Sequence, residues 1–113
     1  MKYIALIYGE DRPNMTEAEQ QAEMQEYYAF NAKARARGVN MTGEALYPVA
    51  TAKTVRVRDG KVLTTDGPFA ETKEALGGYY VIEANTIEEA CEVAAMIPGA
   101  KHGSVEVRPI VEF

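Results

Sequence analysis

Two helical segments, each opened by a capping box, limit the folds that this chain can adopt. The spacing Thr16–Glu19 opens the first segment and Thr86–Glu89 opens the second. In such a box the threonine side chain accepts from a backbone N–H three residues on, and the glutamate reaches back to the start. The first helix is predicted to end at Gly38 and the second at Pro98. Any strands must therefore lie in the three segments before, between and after these two helices.

Strand-like segments occupy the rest of the sequence. Residues 3–8 (YIALIY) are apolar almost throughout, which is typical of a central strand. Further strands are predicted at residues 39–46, 77–84 and 104–110, with a hairpin of residues 54–58 and 61–65 around Asp59-Gly60. Without the hairpin the order is β-α-β-β-α-β. We predict an α+β, ferredoxin-like fold with an inserted β-hairpin.

The apolar residues of the first helix form a stripe that is predicted to face the core. Met24, Tyr28 and Ala32 recur every four residues, and Tyr27, Phe30 and Ala34 lie beside them. Both helices of a ferredoxin-like fold cover one face of the sheet, yet the strands carry apolar residues on both faces. The uncovered face is expected to meet the same face of a second copy, giving a homodimer.

Length and composition exclude several classes of protein. The chain has 113 residues, a size typical of one domain, and a net charge of −5, which disfavours a nucleic-acid surface. No apolar run approaches the length of a membrane span, and no signal peptide is recognised. One Cys and one His, with acids outside any ligand spacing, predict no metal site and no cofactor. A cytoplasmic location is expected.

Four segments resemble one family closely. They are GEAL at 43–46, VRVRDGKVLTTDGPFAETKE at 55–74, LGGYYVIEA at 76–84 and HGSVEVRPI at 102–110. Over its whole length, residues 1–113, the chain is similar to the YCII-related family, in the branch named after the Asp-Gly-Pro-Phe (DGPF) motif. The resemblance implies a dimeric α/β barrel. It implies little about activity, because most members of this branch have no assigned reaction.

The chain departs from the family in one respect. Relatives elsewhere in the family carry a His/Asp pair in a cleft, with the histidine on the first helix. Here that helix has no histidine, and aromatic residues occupy the region. Only Asp66 and His102 remain as partners, from different segments.

Asp66 is the leading candidate for a functional group. It is predicted either to cap the Asp-Gly-Pro turn or to aim a carboxylate into a cleft as base or anchor. A short helix from Pro68 to Ala75 is predicted to follow, with Phe69 packed beneath it. His102 is the candidate acid or proton relay.

Five further residues are candidates for substrate binding: Glu44, Phe69, Lys73, Tyr79 and Arg108. Lys73 would hold an anionic group, and the others would wall or orient a substrate. A Glu44–Arg108 or a Glu106–Arg108 ion pair is an alternative, structural role for these charges.

Two functions remain open. One is a cofactor-independent enzyme acting on a small molecule, with Asp66 as base and His102 as acid. The other is a non-catalytic module that binds a metabolite or assists a sigma factor, the second idea coming from the family resemblance. Both need the same pocket, so fold alone does not separate them.

Overall fold

The computed structural model describes residues 1–113 and contains one four-stranded sheet, two helices and a separate hairpin. The elements are β1 (Lys2–Gly9), α1 (Glu17–Ala36), β2 (Met41–Ala45), β3 (Lys53–Arg58), β4 (Lys61–Asp66), β5 (Ala75–Glu83), α2 (Ile87–Ala94) and β6 (Ser104–Pro109), with 3-10 turns at Val49–Thr51 and Pro98–Lys101.

The main sheet has the order β2-β5-β1-β6, and every neighbouring pair is antiparallel. Both helices pack on one face, because Phe30 of α1 and Val93 of α2 share a buried cluster with Ala5 of β1 and Ile82 of β5. The predicted ferredoxin-like α+β fold is confirmed. A bulge at Gly77 shifts the pairing of β1 with β5, so that Ile7 faces Gly78 and Tyr8 faces Leu76.

The two helix starts use their capping residues differently. At α1 the box is reciprocal: Thr16 Oγ1 accepts from the Glu19 N–H at 3.1 Å, and Glu19 accepts from the Thr16 N–H at 3.1 Å. Hydrogen bonding of the Glu19 carboxylate by the Thr16 backbone N–H, and secondarily by the Thr16 side chain, lowers the pKa of Glu19. At α2 the Thr86 side chain accepts from the Glu89 N–H, but Glu89 accepts from the N–H of Asn85 instead. The second predicted box is therefore shifted by one residue.

The predicted stripe of α1 is partly wrong. Phe30 and Ala34 are buried as expected, but Met24 and Tyr28 are exposed, at 51% and 58%. A helix presents residues three and four apart on one face, and the row that meets the sheet is Tyr27, Phe30 and Ala34. The other row meets solvent.

The face of the sheet away from the helices is apolar along its centre. Its half-buried residues on β1 and β5 are Ile4, Leu6, Tyr8, Leu76, Tyr79 and Val81. Polar and charged residues of the two edge strands frame them: Thr42 and Glu44 on one side, Ser104, Glu106 and Arg108 on the other. We call this surface the helix-free face. Only 11 of 113 residues are buried in one chain, and the six apolar residues of this face remain partly exposed.

The hairpin β3–β4 forms a sheet of its own. Asp59 and Gly60 both have positive φ, 52° and 73°, as a two-residue hairpin turn of this kind requires. This prediction is confirmed. Val55, Val57 and Val62 are exposed. Because no ladder joins the hairpin to the main sheet, it projects as an arm.

The predicted short helix after the hairpin is wrong. Residues 67–74, which we call the connector, form bends and irregular backbone. Ala75, the intended last residue of that helix, already pairs with Gly9 in the sheet. Phe69 is 79% exposed, so the prediction that it packs beneath this segment is also wrong. A helix of so few residues needs a buried face to be stable in water, and this segment has none.

Candidate functional site

Most of the predicted site residues lie at one end of the main sheet. There β1 ends while β5 and β6 begin, as the pairs Gly9–Ala75 and Tyr8–Ser104 show. The connector enters this end from the hairpin, and His102 lies in the loop just before β6. We call it the hairpin end. Fold topology therefore brings the DGPF segment and the only histidine to the same side of the molecule.

Asp66 is the last residue of β4 and forms an ion pair with Lys53 directly across the hairpin, at 2.5 Å. Its side chain is 87% exposed. The following turn is fixed by Gly67 instead, whose N–H donates to the Ala52 carbonyl at 2.7 Å and whose carbonyl accepts from the Thr54 hydroxyl at 2.8 Å. The interpretation of Asp66 as a cap of this turn is wrong.

Two side-chain contacts hold the connector to the sheet. Lys73 Nζ lies 3.7 Å from Glu10 Oε1, and the Ser104 hydroxyl donates to Glu74 Oε1 at 2.9 Å. Lys73 is exposed, and its neighbour is an acid at the end of β1. The connector thus spans from the hairpin to β6 and is fixed near its C-terminal end.

The connector forms one wall of a groove. This groove has a volume of about 360 Å³ and is lined by Val49, Ala50, Pro68, Ala70, Glu71, Thr72 and Ala75. Glu71 is the only ionisable residue among them. It takes part in none of the four ion pairs of the chain. The Thr72 hydroxyl is used locally, because it donates to the Glu74 carbonyl at 2.5 Å.

The sequence points to the right segment but to none of the residues that line the groove. Asp66, Phe69 and Lys73 are the site candidates there, yet the lining residue is Glu71, which the sequence indicates only as one charge of a polar turn. The opposite wall, Val49 and Ala50, lies about 20 residues earlier, in a 3-10 turn. No periodic pattern marks that turn, and Pro48 before it was the only signal.

His102 lies outside this groove. It is exposed and follows the second 3-10 turn, where its backbone N–H donates to the Gly99 carbonyl at 3.3 Å. Asp66 is paired with Lys53 rather than with His102. Within one chain the structure does not join these two candidates as an acid–base couple.

Glu44, Tyr79 and Arg108 lie on the helix-free face. Glu44 is directly opposite Tyr79 on the neighbouring strand. Arg108 is opposite Ile4 on the far edge strand, three strand spacings or about 14 Å away. The alternative Glu44–Arg108 ion pair is therefore wrong for a single chain. No Glu106–Arg108 ion pair forms either.

A second cavity lies on the opposite, helix-covered side. It has a volume of about 190 Å³ between α1 and β2 and is lined by Asn31, Arg35, Val39, Met41, Thr42, Gly43 and Tyr80. The Tyr80 hydroxyl donates to Asn31 Oδ1 at 3.0 Å, and its ring meets Phe30 edge-on with centroids 5.3 Å apart. Burial raises the pKa of Tyr80 and of nearby Tyr27. We call this cavity the α1–β2 cleft.

The acids and the histidine are dispersed. No three His, Cys, Asp or Glu side chains lie close enough together to hold a metal ion. Neither helix is both long and apolar enough to cross a bilayer.

Comparison with known proteins identifies a family for the whole chain. A model of the YCII-related domain matches residues 1–113. An uncharacterised protein of Rhizobium meliloti strain 1021 is 33% identical over 117 residues, which include 100% of this chain and 94% of that protein. The match extends over the hairpin and the connector as well as the main sheet. The chain belongs to the YCII-related family.

Proposed function

We propose that this protein binds a small molecule in the groove between the connector and the 3-10 turn of Val49–Thr51. The observation that carries the proposal is the unpaired Glu71 carboxylate in a wall that is otherwise almost entirely apolar. Ligand sites typically combine an apolar lining with a few placed polar groups. The groove has this composition.

The chemistry of the lining defines the ligand class. Val49, Ala50, Pro68, Ala70 and Ala75 suit an apolar body, and Glu71 suits an ammonium group or another strong hydrogen-bond donor. Lys53 and Lys73, the nearest lysines in sequence, are both engaged with other acids. We therefore expect a small organic amine rather than an anion.

Asp66 has a supporting role in this proposal. Its ion pair with Lys53 closes the base of the hairpin, next to Gly67 and Pro68 where the groove begins. A reaction would need a proton donor or acceptor within hydrogen-bond reach of the ligand. Glu71 is the one ionisable group in the groove and is already assigned to the cation of the ligand, so the proposal is limited to binding. Catalysis by Asp66 and His102 stays a prediction.

We further propose that the protein is a homodimer joined through the helix-free face. Six half-buried apolar residues along the centre of this face, framed by charged edges, support it. A second copy presents the same pattern and buries it by two-fold symmetry. Glu44, Tyr79 and Arg108 would then lie inside the dimer. There Glu44 of one chain could pair with Arg108 of the other, although the two are too far apart within one chain.

Binding is tested with benzylamine, which has an apolar ring and a cation, and with uncharged benzyl alcohol. Amide chemical shifts of Ala50, Ala70 and Glu71 should move with benzylamine and respond far less to the alcohol. Glu71→Gln should weaken benzylamine binding by about tenfold, since a charge-assisted hydrogen bond is lost.

Glu88→Gln is the matched control, because it removes the same charge from an exposed position on α2. It should leave the affinity unchanged. Equal weakening by both variants, or shifts spread over the whole surface, would show that the amine is held by overall negative charge and not by the groove.

A further inference from the structure

We propose that the α1–β2 cleft is a binding site for a small organic carboxylate, separate from the connector groove. The two cavities lie on different parts of the fold and have opposite polar chemistry. The groove presents an unpaired acid, whereas no acidic side chain lines the cleft.

The hydrogen-bonding inventory of the cleft is dominated by donors. The Arg35 guanidinium takes part in none of the four ion pairs and supplies up to five N–H donors. Asn31 accepts from Tyr80 through Oδ1, which leaves the N–H groups of its amide for a ligand. Burial raises the pKa of Tyr80, so its hydroxyl stays protonated and keeps Asn31 in this orientation at neutral pH.

The free edge of β2 adds backbone donors. Asn40 and Leu46 form their backbone hydrogen bonds toward β5, with Glu83 and Gly77 respectively. Backbone groups alternate in direction along a strand. Gly43 is an odd number of residues away from both Asn40 and Leu46. Its N–H therefore points away from β5, at the free edge of the sheet.

Gly43 itself is required by close packing. A Cβ at this position would lie 2.6 Å from the Tyr80 ring and inside contact distance of the Tyr79 carbonyl. The space that a side chain would fill is occupied by the Tyr80 ring, which packs directly on the β2 backbone. The glycine thereby fixes the position of Tyr80, one of the residues that line the cleft.

The remaining lining selects the size of the ligand. Val39 and Met41 are half-buried and apolar, and they supply the floor of the cleft. A volume of about 190 Å³ is below the usual range for drug-sized ligands. It fits a carboxylic acid with a short apolar body, its carboxylate on Arg35 and its chain against Met41.

Basic residues at the end of α1 also complement the helix dipole, which is a sufficient reason for Lys33 and Arg37. Arg35 differs because it alone among the three lines the cleft. Glu83, which follows the β5 residues beside the cleft, accepts from the Asn40 side chain at 2.7 Å. It forms no ion pair with Arg35.

The test is a titration of the ¹⁵N-labelled full chain with sodium butyrate and with uncharged butyramide. Butyrate should shift the amide signals of Thr42 and Gly43 with a Kd of about 1–10 mM, a value expected for a ligand of so few atoms. Arg35→Gln should weaken butyrate binding at least about fivefold through loss of the charged partner. Arg37→Gln, with the same loss of charge at the same helix end, should change it less than about twofold.

Three outcomes would overturn the proposal. The first is that the Thr42 and Gly43 signals do not move at about 50-fold excess of butyrate over about 1 mM protein. The second is that Arg35→Gln and Arg37→Gln weaken butyrate binding equally. The third is that butyramide binds with the same affinity as butyrate. Since the benzylamine experiment reports on Ala50, Ala70 and Glu71, failure of either site leaves the other measurable.

Discussion

Leu6→Glu should convert the protein to a monomer. Leu6 lies at the centre of the helix-free face, half-buried, with Tyr79 directly opposite on one side and Glu106 on the other. In a two-fold dimer through this face, two copies of Leu6 become fully buried. The same substitution in an isolated chain would place the glutamate in solvent.

The size of the effect on dimer affinity follows from the part of the Leu6 side chain that is still exposed in one chain. Complete burial of a leucine stabilises by about 1.5–3 kcal/mol, and about two thirds or more of this is already realised within one chain, where Leu6 is only partly exposed. Two copies therefore contribute about 1 kcal/mol to association, so Leu6→Ala should weaken the dimer about fivefold. Leu6→Glu adds two buried, unpaired carboxylates beside Glu106, at a cost of several kcal/mol. Its dimer should be weaker by more than about a thousandfold.

Sedimentation equilibrium at micromolar concentration measures this directly. The wild-type chain should have twice the 12.4 kDa mass of one chain, and Leu6→Glu should have the mass of one. Met24→Glu, an equal charge change on the exposed side of α1, should remain dimeric. A Leu6→Glu protein that keeps its circular dichroism spectrum and still sediments as a dimer would refute the use of this face. A monomeric wild type would refute the dimer altogether.

Three further measurements test individual contacts. Asp66→Asn should change the free energy of unfolding in urea by less than about 1 kcal/mol, because its ion pair with Lys53 is exposed; a larger loss would show that the carboxylate has a partner beyond Lys53. Burial raises the pKa of Tyr80 above its ordinary 10.0, so the contribution of protonated Tyr80 to the free energy of unfolding is complete below that value and is lost as pH rises through the raised pKa. The free energy of unfolding should therefore decline between about pH 9 and 11. Tyr80→Phe should flatten this decline, and Tyr28→Phe, at an exposed position, should not. Gly43→Ala should destabilise by about 1–3 kcal/mol, since its Cβ would overlap β5, and a neutral result in thermal unfolding would contradict the packing described.

Features of the fold encoded by local signals could be predicted from the sequence. The capping residue Thr16 and the Asp59-Gly60 turn act within a few neighbouring residues, and both were placed correctly. The partner of Asp66 was also within reach. A two-residue turn at 59–60 pairs Arg58 with Lys61, and counting outward along both strands pairs Lys53 with Asp66. That register makes the ion pair a consequence of the turn.

The candidate site was harder to predict because it is assembled from distant segments. Val49 and Glu71 meet across the groove only because the hairpin returns the chain to its starting point. The connector has neither helical nor strand periodicity. The prediction of a helix there therefore depends on Pro68 and the acids that follow it, and it is wrong. The DGPF branch, the cytoplasmic location and the absence of a cofactor stay predictions.

The central position of β1 has a consequence for biosynthesis. This strand is synthesised first, yet its two partners are β5 and β6, and Tyr3 pairs with Ile82 and Pro109. Such distant pairings make folding slow, because the loop must close before its contacts form. On the ribosome, residues 2–9 therefore remain an unpaired apolar strand until first β5 and then β6 have been synthesised. During this interval the nascent protein is most exposed to aggregation, and β6, the last strand to arrive, completes the sheet.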